Sequence, residues 1–85
     1  MIKKNVTIID YGMGNILSIQ NALNFLKIKN KVSSDANEIE NSEILILPGV
    51  GSFNLAMKKI NKLKIKKSIK KFIKKKDFKI LGICL

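Results

Sequence analysis

Short, largely apolar runs without a regular apolar–polar alternation constrain this chain more than any other feature. Val6-Thr7-Ile8-Ile9, Ile44-Leu45-Ile46-Leu47 and the stretch from Phe78 through Ile80, Leu81 and Ile83 are all of this kind. A strand with one wet face alternates apolar and polar residues. A strand that is apolar at consecutive positions is covered on both faces, which is the situation of a parallel sheet clothed by helices. The first run is rich in β-branched residues, which suit a pleated surface. The last run, bounded by charge and glycine, reads as a central parallel strand.

The segments between the runs supply the crossovers. Asp10-Tyr11-Gly12-Met13-Gly14-Asn15 follows the first strand, and its two glycines allow a tight turn or a close backbone approach. Asn15 is suited to cap a helix that carries Ile16, Ile19, Ala22, Leu23 and Leu26 on one face and ends at Lys29-Asn30-Lys31. Val32 marks a short second strand, and Asp35 to Glu40 a single helical turn or loop. Pro48 cannot donate to a ladder and closes the strand over 44–47. Beyond it, Phe53, Met57 and Ile60 line one helical face and Ile65, Ile69, Phe72 and Ile73 another. The phase slips near Leu63, so two short helices with a break are expected. Lys74-Lys75-Lys76 suits a helix C-terminus. Strands alternating with helices imply an α/β fold, a doubly wound parallel sheet. At 85 residues the chain holds too few elements to complete one. Residues 1–85 are therefore expected to be part of a single domain.

The formal net charge is +11, and all 17 basic residues are lysine. Base-reading proteins lean on arginine forks that lysine does not replace. The ordinary reading is a solvated lysine face, with no nucleic acid and no membrane as partner; a small lysine-rich nucleic-acid module is the competing one. The single cysteine cannot form an intrachain disulfide. No run has the length of a membrane span. A cytoplasmic protein is expected.

That cysteine, Cys84, follows a strand, and Gly82-Ile83-Cys84-Leu85 matches the opening of a G-x-C-x-G nucleophile elbow. A lone cysteine more often simply packs. Pro48-Gly49-Val50-Gly51 ends another strand, and two strand ends at one sheet edge would bring its N–H groups near the thiol. Each donor aimed at a tetrahedral oxyanion contributes roughly 10²–10³ in rate. Gly12-Met13-Gly14 fails as a dinucleotide fingerprint, because Leu17 stands where the third glycine belongs. A cysteine nucleophile needs a base, usually histidine, and the chain has none.

Together, Asp10 to Asn15, Pro48-Gly49-Val50-Gly51-Ser52-Phe53 and Gly82-Ile83-Cys84-Leu85 resemble the class I glutamine amidotransferases. Pro-Gly-Val-Gly, where most of the class has Pro-Gly-Gly, resembles the branch formed by the glutaminase subunits of imidazole glycerol phosphate synthase. The resemblance covers the whole chain. It implies a flavodoxin-like sheet, here incomplete and cut just after the nucleophile. It implies a Cys-His-Glu triad in which a thiolate attacks the side-chain amide of glutamine, and ammonia that passes to a cyclase subunit for histidine biosynthesis. By position, it implies Cys84 as nucleophile, the N–H groups of Val50 and Leu85 as oxyanion hole, and Gly49 and Gly51 as the backbone against glutamine. Gly12, Met13, Gly14 and Asn15 would face the cyclase. No cofactor and no metal is implied. The triad His and Glu have no counterpart in these 85 residues. A sibling amidotransferase feeding another synthase, such as one that modifies a surface sugar, shares these motifs.

Overall fold

The computed structural model describes residues 5–12, 15–49, 57–60, 65–75 and 79–83. Its elements follow the order β1 (Val6–Ile9), α1 (Ile16–Phe25), β2 (Asn30–Ser33), α2 (Ala36–Glu40), β3 (Ile44–Pro48), α3 (Ile65–Ile73) and β4 (Lys79–Ile83). Residues 57–60 are also helical. The four strands form one sheet in the order β2-β1-β3-β4, and every pairing is parallel. This is the α/β sheet that the apolar runs imply.

Both faces of the sheet are covered, which is why the strand runs do not alternate. Val6, Ile8 and Ile46 face α1, where Ile16, Ile19 and Leu23 pack against them with Ile28, Val32 and Ile44. Ile9 and Leu45 face the other way, into a cluster with Tyr11, Ile39, Ile60, Ile65 and Phe72. The register agrees: Val6 pairs with Ile44 and Ile8 with Ile46, so residues of one parity share a face. Thr7 is the polar exception, fully buried. Its hydroxyl bonds that of Ser42, which in turn donates to the Glu38 carbonyl, so neither buried group is left unsatisfied.

Local signals account for the helix ends. Asn15 caps α1, its Oδ1 accepting from the Ser18 N–H at 3.2 Å. Asp35 caps α2 in the same way, accepting from Glu38 N–H at 3.0 Å. The C-terminus of α1 departs from the sequence expectation. The helix stops at Phe25, and Lys27 sits in the left-handed region at φ 59°. Ile28 N–H then reaches the Leu23 carbonyl at 2.9 Å and Lys27 N–H reaches Asn24 at 3.0 Å. This is a Schellman closure with lysine in the place usually held by glycine, and the apolar pair Leu23 and Ile28 packs beneath it. Asn30 and Lys31, expected to end the helix, belong to β2.

Three side chains also depart. Ala22 and Leu26 are exposed rather than part of the α1 core face; Leu26 lies beyond the last helical residue, as its C-cap. Ile73 is 43% exposed, and Ser68 is buried in its stead, bonded to Glu40 at 3.2 Å. The buried line of α3 runs Ile65, Ser68 and Phe72, one residue earlier in phase. Finally, β4 lies at the end of the strand order rather than in the centre, and Ile80 is 38% exposed. The break expected near Leu63 falls outside the described residues. Among the described residues no helix is long and apolar enough to cross a membrane.

Candidate active site at the carboxyl edge of the sheet

The strand order reverses direction between β1 and β3, since β2 lies on one side of β1 and β3 on the other. In open α/β sheets ligands bind outside the carboxyl ends of the strands at such a point. The segments leaving β1 and β3 there are the two glycine turns singled out in the sequence.

After β1 the backbone is held on both sides. Asp10 N–H donates to the Ser33 carbonyl of β2 at 2.9 Å. Asp10 Oδ1 accepts from the Gly12 N–H at 3.1 Å, an Asx-type turn. Gly12 adopts φ +85°, which a side chain disfavours. Space is not the obstacle there: a Cβ would meet the Lys59 side chain at an ordinary 3.8 Å. Lys59 thus brings a cation to the rim of this turn, a neighbour that its place in the lysine-rich stretch did not reveal.

Tyr11 is the second residue that the sequence reading left without a role. It is 1% exposed, and its hydroxyl donates to the Pro48 carbonyl at the end of β3. One buried aromatic therefore straps the turn after β1 to the turn after β3. The only signal in the sequence is an aromatic residue placed directly before the turn glycine, and nothing in its spacing points to Pro48.

The β3–β4 register closes the constellation. Leu47 pairs with Gly82 and Pro48 with Ile83, so the two strands end side by side. Gly49, the next residue after β3, is half-buried. Of the residues implied for the site, Gly12, Asn15 and Gly49 are described. Met13, Gly14, Val50, Gly51, Cys84 and Leu85 lie outside the described residues.

Below this edge, Glu38 fastens α2 to β2. It accepts from the Ser33 hydroxyl at 2.7 Å and pairs with Lys31 at 3.0 Å. The Ser33 bond first, and Lys31 second, hold its carboxyl below the usual carboxylate range. A depressed acid stabilises the fold above its unfolded pKa, and that contribution is lost as the pH falls through the folded value.

A parallel, helix-covered sheet in which β1 and β3 lead into glycine-containing segments at the switch point defines an α/β protein of the kind that binds ligands at the carboxyl edge of its sheet. No family model matches the chain. Similarity to individual proteins is more specific. The chain is 49% identical over 81 residues to imidazole glycerol phosphate synthase subunit HisH of Caldanaerobacter subterraneus, 45% over 80 residues to that of Listeria monocytogenes, and 46% over 81 residues to that of Rhodopirellula baltica. Each match covers 94% of this chain but only 38–39% of the relative, so the chain spans less than two fifths of the length of these curated relatives. Over the stretch they share, the chain is similar to these HisH subunits. Each of these three relatives bears the same subunit name.

Proposed function

We propose that the chain is the nucleophile-bearing part of a glutaminase subunit of imidazole glycerol phosphate synthase, with residues 1–85 forming the N-terminal part of one amidotransferase domain. The observation that carries this reading is the pairing of Pro48 with Ile83. Gly49 and Cys84 are the next residues in sequence after this pair, so the strands that lead to them end side by side.

In this reading the Cys84 thiolate attacks the side-chain amide carbon of glutamine. The N–H groups of Val50 and Leu85 receive the developing oxyanion, and Gly49 and Gly51 let the backbone close on the substrate. The amide nitrogen takes a proton from the base and leaves as ammonia. Water then cleaves the glutamyl thioester to glutamate and frees the thiol. The chain has no histidine, so the base comes from outside these 85 residues; in the family the motifs resemble, the carboxylate that orients it does too, and the 85 residues by themselves are inactive. Ammonia passes to a cyclase subunit that meets the Gly12, Met13, Gly14 and Asn15 turn. The reaction calls on no metal, cofactor, nucleic acid or membrane, and it belongs in the cytoplasm.

The test is alkylation of Cys84 as a function of pH, in the 85-residue chain and in a chain continued with the remaining segment of the Caldanaerobacter relative. The continued chain reacts faster near neutral pH, because the added base favours the thiolate. It also hydrolyses glutamine, and Cys84→Ala abolishes that turnover. Equal alkylation rates, or glutamine turnover that survives Cys84→Ala, would overturn the assignment.

A further inference from the structure

Tyr11 is buried on the α3 side of the sheet, in one cluster with Ile9, Leu45, Ile60, Ile65 and Phe72. Packing holds its ring, and the backbone on either side is tied as well. Asp10 N–H donates to the Ser33 carbonyl at 2.9 Å, and Gly12 N–H donates to Asp10 Oδ1 at 3.1 Å. The hydroxyl at the end of this ring is therefore a donor in a fixed place, and it donates to the Pro48 carbonyl. Pro48 is itself fully buried. It has no N–H and its ring fixes φ, so ψ is its one soft torsion. The Tyr11 bond sets that torsion by holding the carbonyl. Because the peptide group is planar, the same bond sets the direction of the Gly49 N–H. The next torsions along the chain are those of Gly49, and they aim the peptide whose N–H belongs to Val50. A phenol sealed in the core does not reach a substrate, so any effect it has on rate passes through the peptide it holds.

We infer that Tyr11 is a positioning residue for amide hydrolysis: by holding the Pro48–Gly49 peptide, it leaves only the Gly49 torsions to be set when the Val50 N–H turns toward the oxyanion. The inference rests on the role given to Val50 under Proposed function and adds the group that aims it. A phenol that served only to satisfy the Pro48 carbonyl would matter for stability and not for rate.

The test uses the chain continued with the remaining segment of the Caldanaerobacter relative, assayed for glutamine hydrolysis with the cyclase subunit of that synthase present. Tyr11→Phe lowers kcat at least about 10-fold, short of the roughly 10²–10³ that follows removal of a donor outright. KM stays within about twofold, because the oxyanion exists only in the transition state. Alkylation of Cys84 by iodoacetamide, a displacement at saturated carbon that forms no oxyanion, keeps its wild-type rate. The control is Ile69→Ala, which thins the packing against the same cluster and leaves the strap intact. It lowers the thermal melt and keeps kcat within about twofold. All chains are assayed in trimethylamine N-oxide, which favours the folded state, so the rates are those of folded enzyme. A Tyr11→Phe kcat within about twofold of wild type would overturn the inference. So would equal losses of kcat in Tyr11→Phe and Ile69→Ala, since the loss would then be one of fold. Alkylation slowed in step with turnover would overturn it too, by placing the effect on the thiol. If wild-type turnover is absent or survives Cys84→Ala, the proposed function falls and the inference falls with it. If Cys84 carries the turnover and Tyr11→Phe leaves it unchanged, the inference alone falls.

Discussion

Helices α1 and α3 lie on opposite faces of one sheet and have nearly the same length, yet they solve the same packing problem with opposite outer surfaces. In α3, IKKSIKKFI, Ile65 and Phe72 are buried while Lys66, Lys67, Lys70 and Lys71 are turned to water. Lys71 pairs with Glu40 at 3.7 Å, and Lys75, just beyond the helix, lies 5.2 Å from the Phe72 ring centroid and bonds the Ser42 carbonyl at 3.2 Å. The lysines thus solvate the helix and fasten it to α2. In α1 the outer side is uncharged. Amphipathic periodicity therefore fixes which side of a helix is buried in the fold. What the opposite side carries is a separate matter: in α3 solvent explains it, and in α1 solvent does not.

Two phenylalanines break or sustain this contrast most directly. Phe72 is fully buried and Phe25 is 85% exposed. Phe72→Ala costs about 3–5 kcal/mol in urea denaturation, while Phe25→Ala leaves stability within about 0.5 kcal/mol of wild type. Comparable losses would mean that α1 and α3 contribute to the core on both their sides, and the contrast would be gone.

A smaller effect is expected at the strap between the two turns. Tyr11→Phe keeps the buried ring and removes the hydroxyl that bonds the Pro48 carbonyl. The stranded carbonyl costs about 1–3 kcal/mol, read as a lower denaturation midpoint at unchanged slope. It also loosens Gly49 relative to Gly12, seen as faster amide exchange at both. A stability change with no change in exchange at Gly49 would reduce Tyr11 to a packing residue on the α3 side.

The smallest effect is a gain, on the α1 side. Lys27 holds a left-handed conformation at φ 59°. Lys27→Gly keeps the Schellman bonds and relieves that conformation, raising stability by about 1 kcal/mol. A loss would show that the lysine side chain contributes more than its backbone strain costs, and that the end of α1 is held by charge as α3 is.

Much of this was legible from residue order. The consecutive apolar residues of β1 and β3 announced strands covered twice, and both faces are filled. Asn15 and Asp35 cap helices because their short acceptors reach the N–H groups three residues on. The glycine turns fell where the switch point lies. Other features had no local signature. Lys27 closes a helix where only a glycine would have signalled it. Ile73 and Ser68 exchange places because the orientation of α3 follows its docking on α2, where Glu40 receives Ser68.

By itself, then, the sequence determined the element types, the parallel α/β class and the glycine-marked ends of β1 and β3, because periodicity, capping and glycine act over a few residues. Only the tertiary structure decided that β1 and β3 lie side by side between β2 and β4, that Tyr11 reaches Pro48 across 37 residues of chain, and that Pro48 ends its strand beside Ile83. Strand order and register are settled by how two helical layers share one sheet, and that competition between faces is written in no single stretch of residues.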